Sequence, residues 1–456
     1  MTHPGFGAES TGDTGRTDPE SRTRDLLRRD ARSVWHPFTQ QSLWLADEPI
    51  VVDRAEGMYF WDTDGNRYLD GVSSLWVNVH GHRRAEIDAA IVAQLGRLDH
   101  TTFLGLTHEP GIRLAEELLA TAPAGLSRVF YAGDGASAVE AALKMAYQAH
   151  AQNGQVRPLY VHLAEGYHGD TLGAVSVGGI DLFHHTYRSI MLDTRQVGSP
   201  GVLAAGQDRS NRAVEVLAEL ELLLTTEGAA VCAVVLEPMV QAAGGMLTHH
   251  RDFLRGARAL CDRHGVYLIA DEVATGIGRT GRMWAVEHAE IAPDLMTTGK
   301  GITGGYLPLS AVLATEQIYE AFLGSAESGR TFFHGHSYTA NPLAAAAGIA
   351  NLALMAEQQT VAHAARVGEL IEAKLASLSD YDGVVEIRRM GTMTGIEVAA
   401  VGQRTGFQVC QEARRRGVWV RPLGDVVVLM PPLAIGDDDL DVLTGTVADA
   451  IRAVVQ

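Results

Sequence analysis

Apolar and polar residues alternate almost one by one near the start of the chain. From about Arg32 to Val79, the run IVVDRAEGMYFWDTDGNRYLDG predicts short strands, with Asp64-Gly65 as a hairpin turn. Between about residues 84 and 340 the period changes. AEIDAAIVAQLGRL, HEPGIRLAEELLATA, ASAVEAALKMAYQAHAQ and RDFLRGARALCDRHG carry apolar residues at helical spacing. Among them lie SRVFYAG, PLYVHLAE, AAVCAVVLEP, HGVYLIADEV, PDLMTTG and PLSAVLAT, apolar runs of strand length. Strands without a polar face are buried on both sides, so the pattern predicts an α/β fold whose parallel sheet lies between helices. After Pro342 come two helical stretches, then the strands VVEIRR, MTGIEVA and VVVLMPP around two more helices. The expected organisation is a disordered tail at 1–30 and a segment at 31–83 that contributes to a small domain. A large domain follows at 84–341, then a C-terminal α+β small domain at 342–456. RQVGSPGVLAAGQDRSN (195–211) reads as a surface loop.

Composition narrows the function. The chain has 456 residues, 46% hydrophobic and 20% charged, enough for a large core. Its net charge of −18 gives nucleic-acid binding little support. Cys232, Cys261 and Cys410 are too widely spaced for a disulfide framework or a Cys-x-x-Cys metal site, and Cys232 and Cys261, in apolar stretches, read as inert buried thiols. The sequence has no apolar run long enough to span a membrane, and its polar first 30 residues do not look like a signal peptide. A cytoplasmic protein is expected. The basic residues are nearly all arginine, with lysine only at Lys144, Lys300 and Lys374.

Ligand sites in open parallel sheets lie beyond the carboxyl ends of the strands. Lys300 follows DLMTTG there and is itself followed by glycines. It reads as a turn lysine or, with its pKa lowered by burial, as a nucleophilic amine that arginine could not replace. Lys144 and Lys374 sit within helical patterns. Asp271 ends VYLIA; it could cap a helix, pair with Arg279 or face a pyridinium nitrogen. Gly133 and Gly135 surround a turn that opens a helix, a weak anion-binding signal, and Tyr167 could pack or stack on a planar ring. Taken together, an amine, a carboxylate, an anion cup and an aromatic match the needs of pyridoxal phosphate. GIGRTG at 276–281 fits a dinucleotide-binding pattern, but Asp271-Glu272 precede it and would repel a pyrophosphate. The pairs His80/His82 and His334/His336 lack a third metal ligand.

GYHGDT, LIADEVATGIGRTG, PDLMTTGKGITGGYLPLSAV and HGHSYTANPLAAAA resemble the class III, fold-type-I aminotransferases. WHPFTQ, SSLWVNVHGH, HTTFLGLTHEPGIRLAEEL, VFYAGDGASAVEAALKMA and GVWVRPLGD resemble the branch of that family that makes diaminopelargonate for biotin. The likeness runs from about residue 33 to 450. It implies a large domain with a mostly parallel sheet, a smaller α+β domain, and a homodimer with shared active sites. It implies that Lys300 carries the cofactor as a Schiff base and moves the proton, that Asp271 pairs with the ring nitrogen, and that Tyr167 stacks on the ring. Gly135 and Ala136 would hold the phosphate from one subunit, and His336 and Ser337 from the other. Arg421 would pair with the distal carboxylate of 8-amino-7-oxononanoate, with Trp76 as an apolar wall and Gly335 and Phe38 beside the substrate. Members that use adenosylmethionine generally have tyrosine at Phe38, tryptophan at Leu75, serine at Ala136, Pro-Thr at His336-Ser337 and tyrosine at Val428. These departures resemble a lysine-using branch, so adenosylmethionine and L-lysine both stand as donors. The competing functions are another class III ω-amino-acid or diamine aminotransferase, a nicotinamide-dependent oxidoreductase and a non-catalytic scaffold.

Overall fold

The computed structural model describes residues 19–456. Its centre is a seven-stranded sheet: β1 (Leu126–Ala132), β2 (Leu159–Leu163), β3 (Thr194–Val197), β4 (Val231–Leu236), β5 (Tyr267–Asp271), β6 (Leu295–Thr298) and β7 (Ser310–Thr315). They lie in the order β1-β7-β6-β5-β4-β2-β3. The pairs from β3 through β6 are parallel, while β7 runs antiparallel to both β6 and β1. The sheet is thus mostly parallel, as the apolar runs implied. The reversed strand was invisible to them, because PLSAVLAT is buried on both faces like its neighbours.

Alternation along the strands feeds two cores. Leu295 packs with Ala138, Ala142 and Val235 on one face, whereas the next residue, Met296, packs with Leu114, Trp284 and Leu313 on the other. The second half of the chain adds an antiparallel sheet in the order Val384–Met390, Met393–Val398, Val426–Leu429, Arg421–Leu423. Near the amino end, Val52–Glu56, Tyr59–Asp62 and Arg67–Asp70 form an antiparallel meander. Val418–Trp419 joins it in parallel with Arg67–Asp70, so widely separated stretches of chain share one sheet.

Two expectations need correction. The disordered tail was expected to reach residue 30, but Pro19–Ser33 is a helix; residues 1–18 lie outside the described residues. Proline suits a first helical turn, and Asp25 pairs with Arg28 and Arg29 one turn on. Asp30 accepts Trp44 Nε1 at 2.7 Å, tying the helix to the following loop. With only Leu26 and Leu27 as apolar signal, hydrophobic periodicity could not reveal it. The loop at 195–211 is also shorter than expected. Its first residues pair with β2 as part of β3, and its end enters the helix Arg209–Glu227, capped by Asp208. Among the described residues, no helix is long and apolar enough to cross a membrane.

Candidate active site

β1, β2, β4, β5 and β6 all end on one edge of the sheet, and the candidate residues gather there. After β6, Gly299 leads into Lys300, which opens the single turn Lys300–Thr303 with a left-handed φ of 45°. The Lys300 Nζ stands 5.3 Å from the centre of the Trp76 ring, and among the described residues it has no hydrogen-bond or carboxylate partner. The other two lysines are engaged. Lys144 Nζ lies 3.1 Å from His334 Nδ1, and Lys374 pairs with Asp441. Burial pushes the Lys300 amine below the ordinary lysine range; Asp271 and Glu237 counter this in part, and Arg279 adds to it. A less basic amine spends more time as the neutral nucleophile.

Asp271 is the last residue of β5 and is buried. Its Oδ1 accepts Val273 N and Thr297 Oγ1, each at 3.0 Å, and its Oδ2 accepts from His168 Nδ1 at 2.7 Å. Contacts on both oxygens hold the carboxylate in one orientation. Burial works against a charge on His168, but the hydrogen bond and the negative charges of Asp271 and Glu237 outweigh it, so the imidazole is more basic than usual. Arg279 does not pair with Asp271; its guanidinium reaches backbone carbonyls instead.

β1 leads into the helix Gly135–Gln152, whose Asp134 cap accepts Ser137 N at 2.9 Å. Gly135 and Ala136 occupy its first turn, where backbone N–H groups have no partner within a helix. The backbone is crowded: a Cβ on Gly135 would stand 2.7 Å from Val273, and one on Gly169 2.4 Å from the Ala136 Cβ. Tyr167 is fixed at both ends, its N donating to Glu237 Oε1 at 3.0 Å and its hydroxyl to Asp170 Oδ2 at 2.8 Å.

These residues enclose a cavity of about 470 Å³, with Gly135, Ala136, Trp76, Tyr167, Asp271 and Lys300 in its wall. That volume suits a small cofactor. An unpartnered amine, an oriented carboxylate, an aromatic face and an open helix start are the groups pyridoxal phosphate needs, so the residues fit it. Among the described residues, no group of three potential ligands gathers as a metal site.

A family model for class III aminotransferases matches residues 44–451. The chain belongs to that family. This aminotransferase is 50% identical over 450 residues to the adenosylmethionine-8-amino-7-oxononanoate aminotransferase of Nitratidesulfovibrio vulgaris, covering 96% of this chain and 83% of the relative. Identity to the enzyme of the same name from Geobacter sulfurreducens is 43%, with 96% and 99% covered. The crystal structure of the Methanocaldococcus jannaschii enzyme of that name is also similar: the TM-score is 0.90 at 35% identity, over 95% of this chain and 100% of that one.

The remaining candidates of this aminotransferase stand outside the cavity wall. Phe38 is exposed, but its ring meets Phe183 edge-on at 5.5 Å, and Phe183 in turn meets Tyr167 at 6.2 Å. Arg421 is exposed on its strand opposite Val428, and among the described residues no carboxylate pairs with it. Gly335 and Ser337 are exposed, while the His336 ring lies 3.6 Å from where a Cβ on Gly133 would be.

Two buried residues that the sequence reading passed over belong to the site. Glu237 lines the cavity and accepts Tyr167 N and Ala242 N at 3.0 and 2.9 Å. Burial pushes its carboxyl up to about 7, with His168 pulling back and Asp271 reinforcing the rise. Its signal was its position, since Glu237 follows β4 at the same sheet edge where Asp271 ends β5. His168 sat in plain view in GYHGD, but nothing local to that motif reveals that it meets Asp271, 103 residues away.

Proposed function

We propose that this aminotransferase uses pyridoxal phosphate to move an amino group from adenosylmethionine to 8-amino-7-oxononanoate, giving 7,8-diaminononanoate. The observation that carries this reading is the unpartnered Lys300 amine in the same cavity as the triply hydrogen-bonded Asp271. The names of relatives up to 50% identical support the substrate pair.

When bound, pyridoxal phosphate supplies a carbonyl that exchanges amines and a ring that stores the electron pair left when a C–H bond breaks. The roles of the protein follow from its own groups. Lys300 would hold the cofactor through its Nζ, which burial keeps partly neutral and therefore nucleophilic, and the same amine would serve as the acid and base that moves the proton. Asp271, held by His168, Thr297 and Val273, keeps a proton on the ring nitrogen through its negative charge. Tyr167 offers its ring, and the first turn of the helix Gly135–Gln152 offers N–H groups to the phosphate, with His336 and Ser337 of a second copy completing that cup. Arg421 receives the distal carboxylate of the keto substrate through a two-donor fork, Trp76 and Phe38 cover its apolar chain, and Gly335 leaves room at the edge. We place the enzyme in the cytoplasm as a homodimer with shared sites.

Half-reactions test the donor. Adenosylmethionine should convert the bound cofactor to its pyridoxamine form, and 8-amino-7-oxononanoate should restore it. The departures at Phe38, Leu75 and Val428 make L-lysine the second donor to try. Conversion by lysine alone would overturn the donor assignment. Failure of 8-amino-7-oxononanoate to restore the starting spectrum would overturn the acceptor.

A further inference from the structure

Lys144 is one of only three lysines in an arginine-rich chain, and it meets His334, the first member of the second His-x-His pair. It lies in the helix Gly135–Gln152, nine positions beyond Gly135, so roughly 14 Å along the axis from the first turn that faces the cavity. Its amine is too far away to touch a phosphate held at that turn. It reaches instead a segment that crosses the helix at 330–334. Nζ lies 3.1 Å from His334 Nδ1 and donates to Phe333 O at 3.4 Å. One turn on, Gln148 Nε2 donates to Thr331 O at 3.1 Å, and a turn beyond that Gln152 Nε2 donates to Arg330 O at 3.1 Å. Residues four apart share a helix face, so the three form a polar ladder along which the segment is laid down.

The segment then leaves the helix through Gly335, where a Cβ would find only Thr339 Oγ1, at 4.0 Å. With nothing packed on that glycine, the direction of the next residues depends on what holds their neighbours. On the far side, His336 O accepts Thr339 N at 3.1 Å and Thr339 Oγ1 at 2.7 Å. On the near side stands Lys144. Among the described residues the His336 Nε2 is buried without a hydrogen-bond partner, and Ser337 is exposed. A compact ammonium serves two acceptors that converge on one point, His334 Nδ1 and Phe333 O, whereas a planar guanidinium spreads its donors. Burial, and then the charge of Lys144, holds the His334 imidazole below its ordinary range, which leaves Nδ1 free to accept.

We propose that Lys144 is a positioning residue for the cofactor phosphate of the partner copy: it fixes the segment 330–337 so that His336 and Ser337 enter the second copy's cup. This rests on the shared-site homodimer proposed above. Each helix Gly135–Gln152 then serves one phosphate with its first turn and the other through its middle. Lys144→Met removes the donors and keeps the length of the side chain. It should weaken pyridoxal phosphate binding about tenfold, read by titrating the apoprotein and following the visible band. At saturating cofactor, kcat and KM for 8-amino-7-oxononanoate should stay within about twofold of the wild type. Lys144→Arg, which keeps the charge, should fall between the two proteins. Mixed dimers assign the effect to a site. A Lys144→Met chain paired with a Lys300→Ala chain has one visible site, served by the intact segment of the other chain, and should bind the cofactor as the wild type does. A wild-type chain paired with a chain carrying both substitutions should show the weakened affinity. Unchanged affinity in the Lys144→Met homodimer would overturn the proposal. So would a fall in kcat that saturating cofactor does not restore, the mark of general damage, or weakening that follows the site on the substituted chain itself. The double variant His336→Ala, Ser337→Ala tests the shared cup alone. Unchanged affinity there would sink that reading and the proposal with it, whereas lost affinity there beside an unaffected Lys144→Met would sink the role of Lys144 only.

Discussion

The proposed cofactor half and the proposed substrate half of the site are built differently. Lys300, Asp271, Glu237 and Tyr167 follow strands of one sheet and are held by a packed core on both faces. Phe38, Gly335 and Arg421 are exposed and come from stretches far apart in the chain. The first arrangement fixes the chemistry rigidly. The second leaves specificity dependent on how distant segments are tied together. Substitutions should therefore divide into those that stop the reaction and those that change which substrate is held.

The sharpest break of this division is Lys300→Ala. Turnover should fall by roughly a thousandfold or more, and pyridoxal phosphate should no longer give the visible band of a lysine-bound carbonyl. Residual turnover near the wild-type rate would move the chemistry to another amine. Asp271→Asn should come next, lowering kcat by roughly a hundredfold or more with little change in KM, because the change removes a charge at the ring and leaves the substrate walls intact. A change confined to KM would instead put Asp271 in the substrate half. Arg421→Leu should do the opposite, raising KM for 8-amino-7-oxononanoate by roughly 10- to 100-fold while the donor half-reaction and the spectrum persist. Equal losses in both half-reactions would erase the distinction between the halves.

The same division explains what could be read from the sequence. Strand-end residues were legible because an apolar run shows where a buried strand stops, and chemistry-bearing residues at the stop stand out. Lys300 and Asp271 were found this way, and arginine bias left only three lysines to weigh. The direction of β7 was not legible, since burial on both faces leaves the same pattern whichever way a strand runs. The helix Pro19–Ser33 was missed because ion pairs and Asp30 support it more than an apolar stripe. The contact of His168 with Asp271 and the fork of Arg279 join residues more than 100 positions apart, and no local pattern encodes them. GIGRTG shows the converse. Its glycines fit a phosphate loop in sequence, yet they serve the close passage of Leu433 and Ala365.

The smallest expected effect tests the rigidity of the cofactor half through pH. Folding raises the Glu237 carboxyl from an ordinary 4.5 to about 7, chiefly by burial. The folded state thus favours the neutral acid. The stability this contributes is complete below the unfolded pKa of about 4.5 and is lost as pH rises through about 7. The raised His168 acts in the same direction, and Glu272, also raised to about 7 by burial, adds a similar loss. Glu237→Gln removes one titrating group and keeps one acceptor for the two backbone N–H groups of Tyr167 and Ala242. Melting temperatures of the cofactor-free variant should therefore fall less between pH 5 and pH 8 than those of the wild type, with Glu272 and His168 preserving part of the slope. Activity at neutral pH should drop less than about tenfold, because Glu237 holds the Tyr167 loop through the backbone and does not exchange protons with the substrate. An unchanged pH slope would mean that the carboxyl titrates elsewhere, and that the floor beneath Tyr167 is more open to water than the rest of the sheet edge.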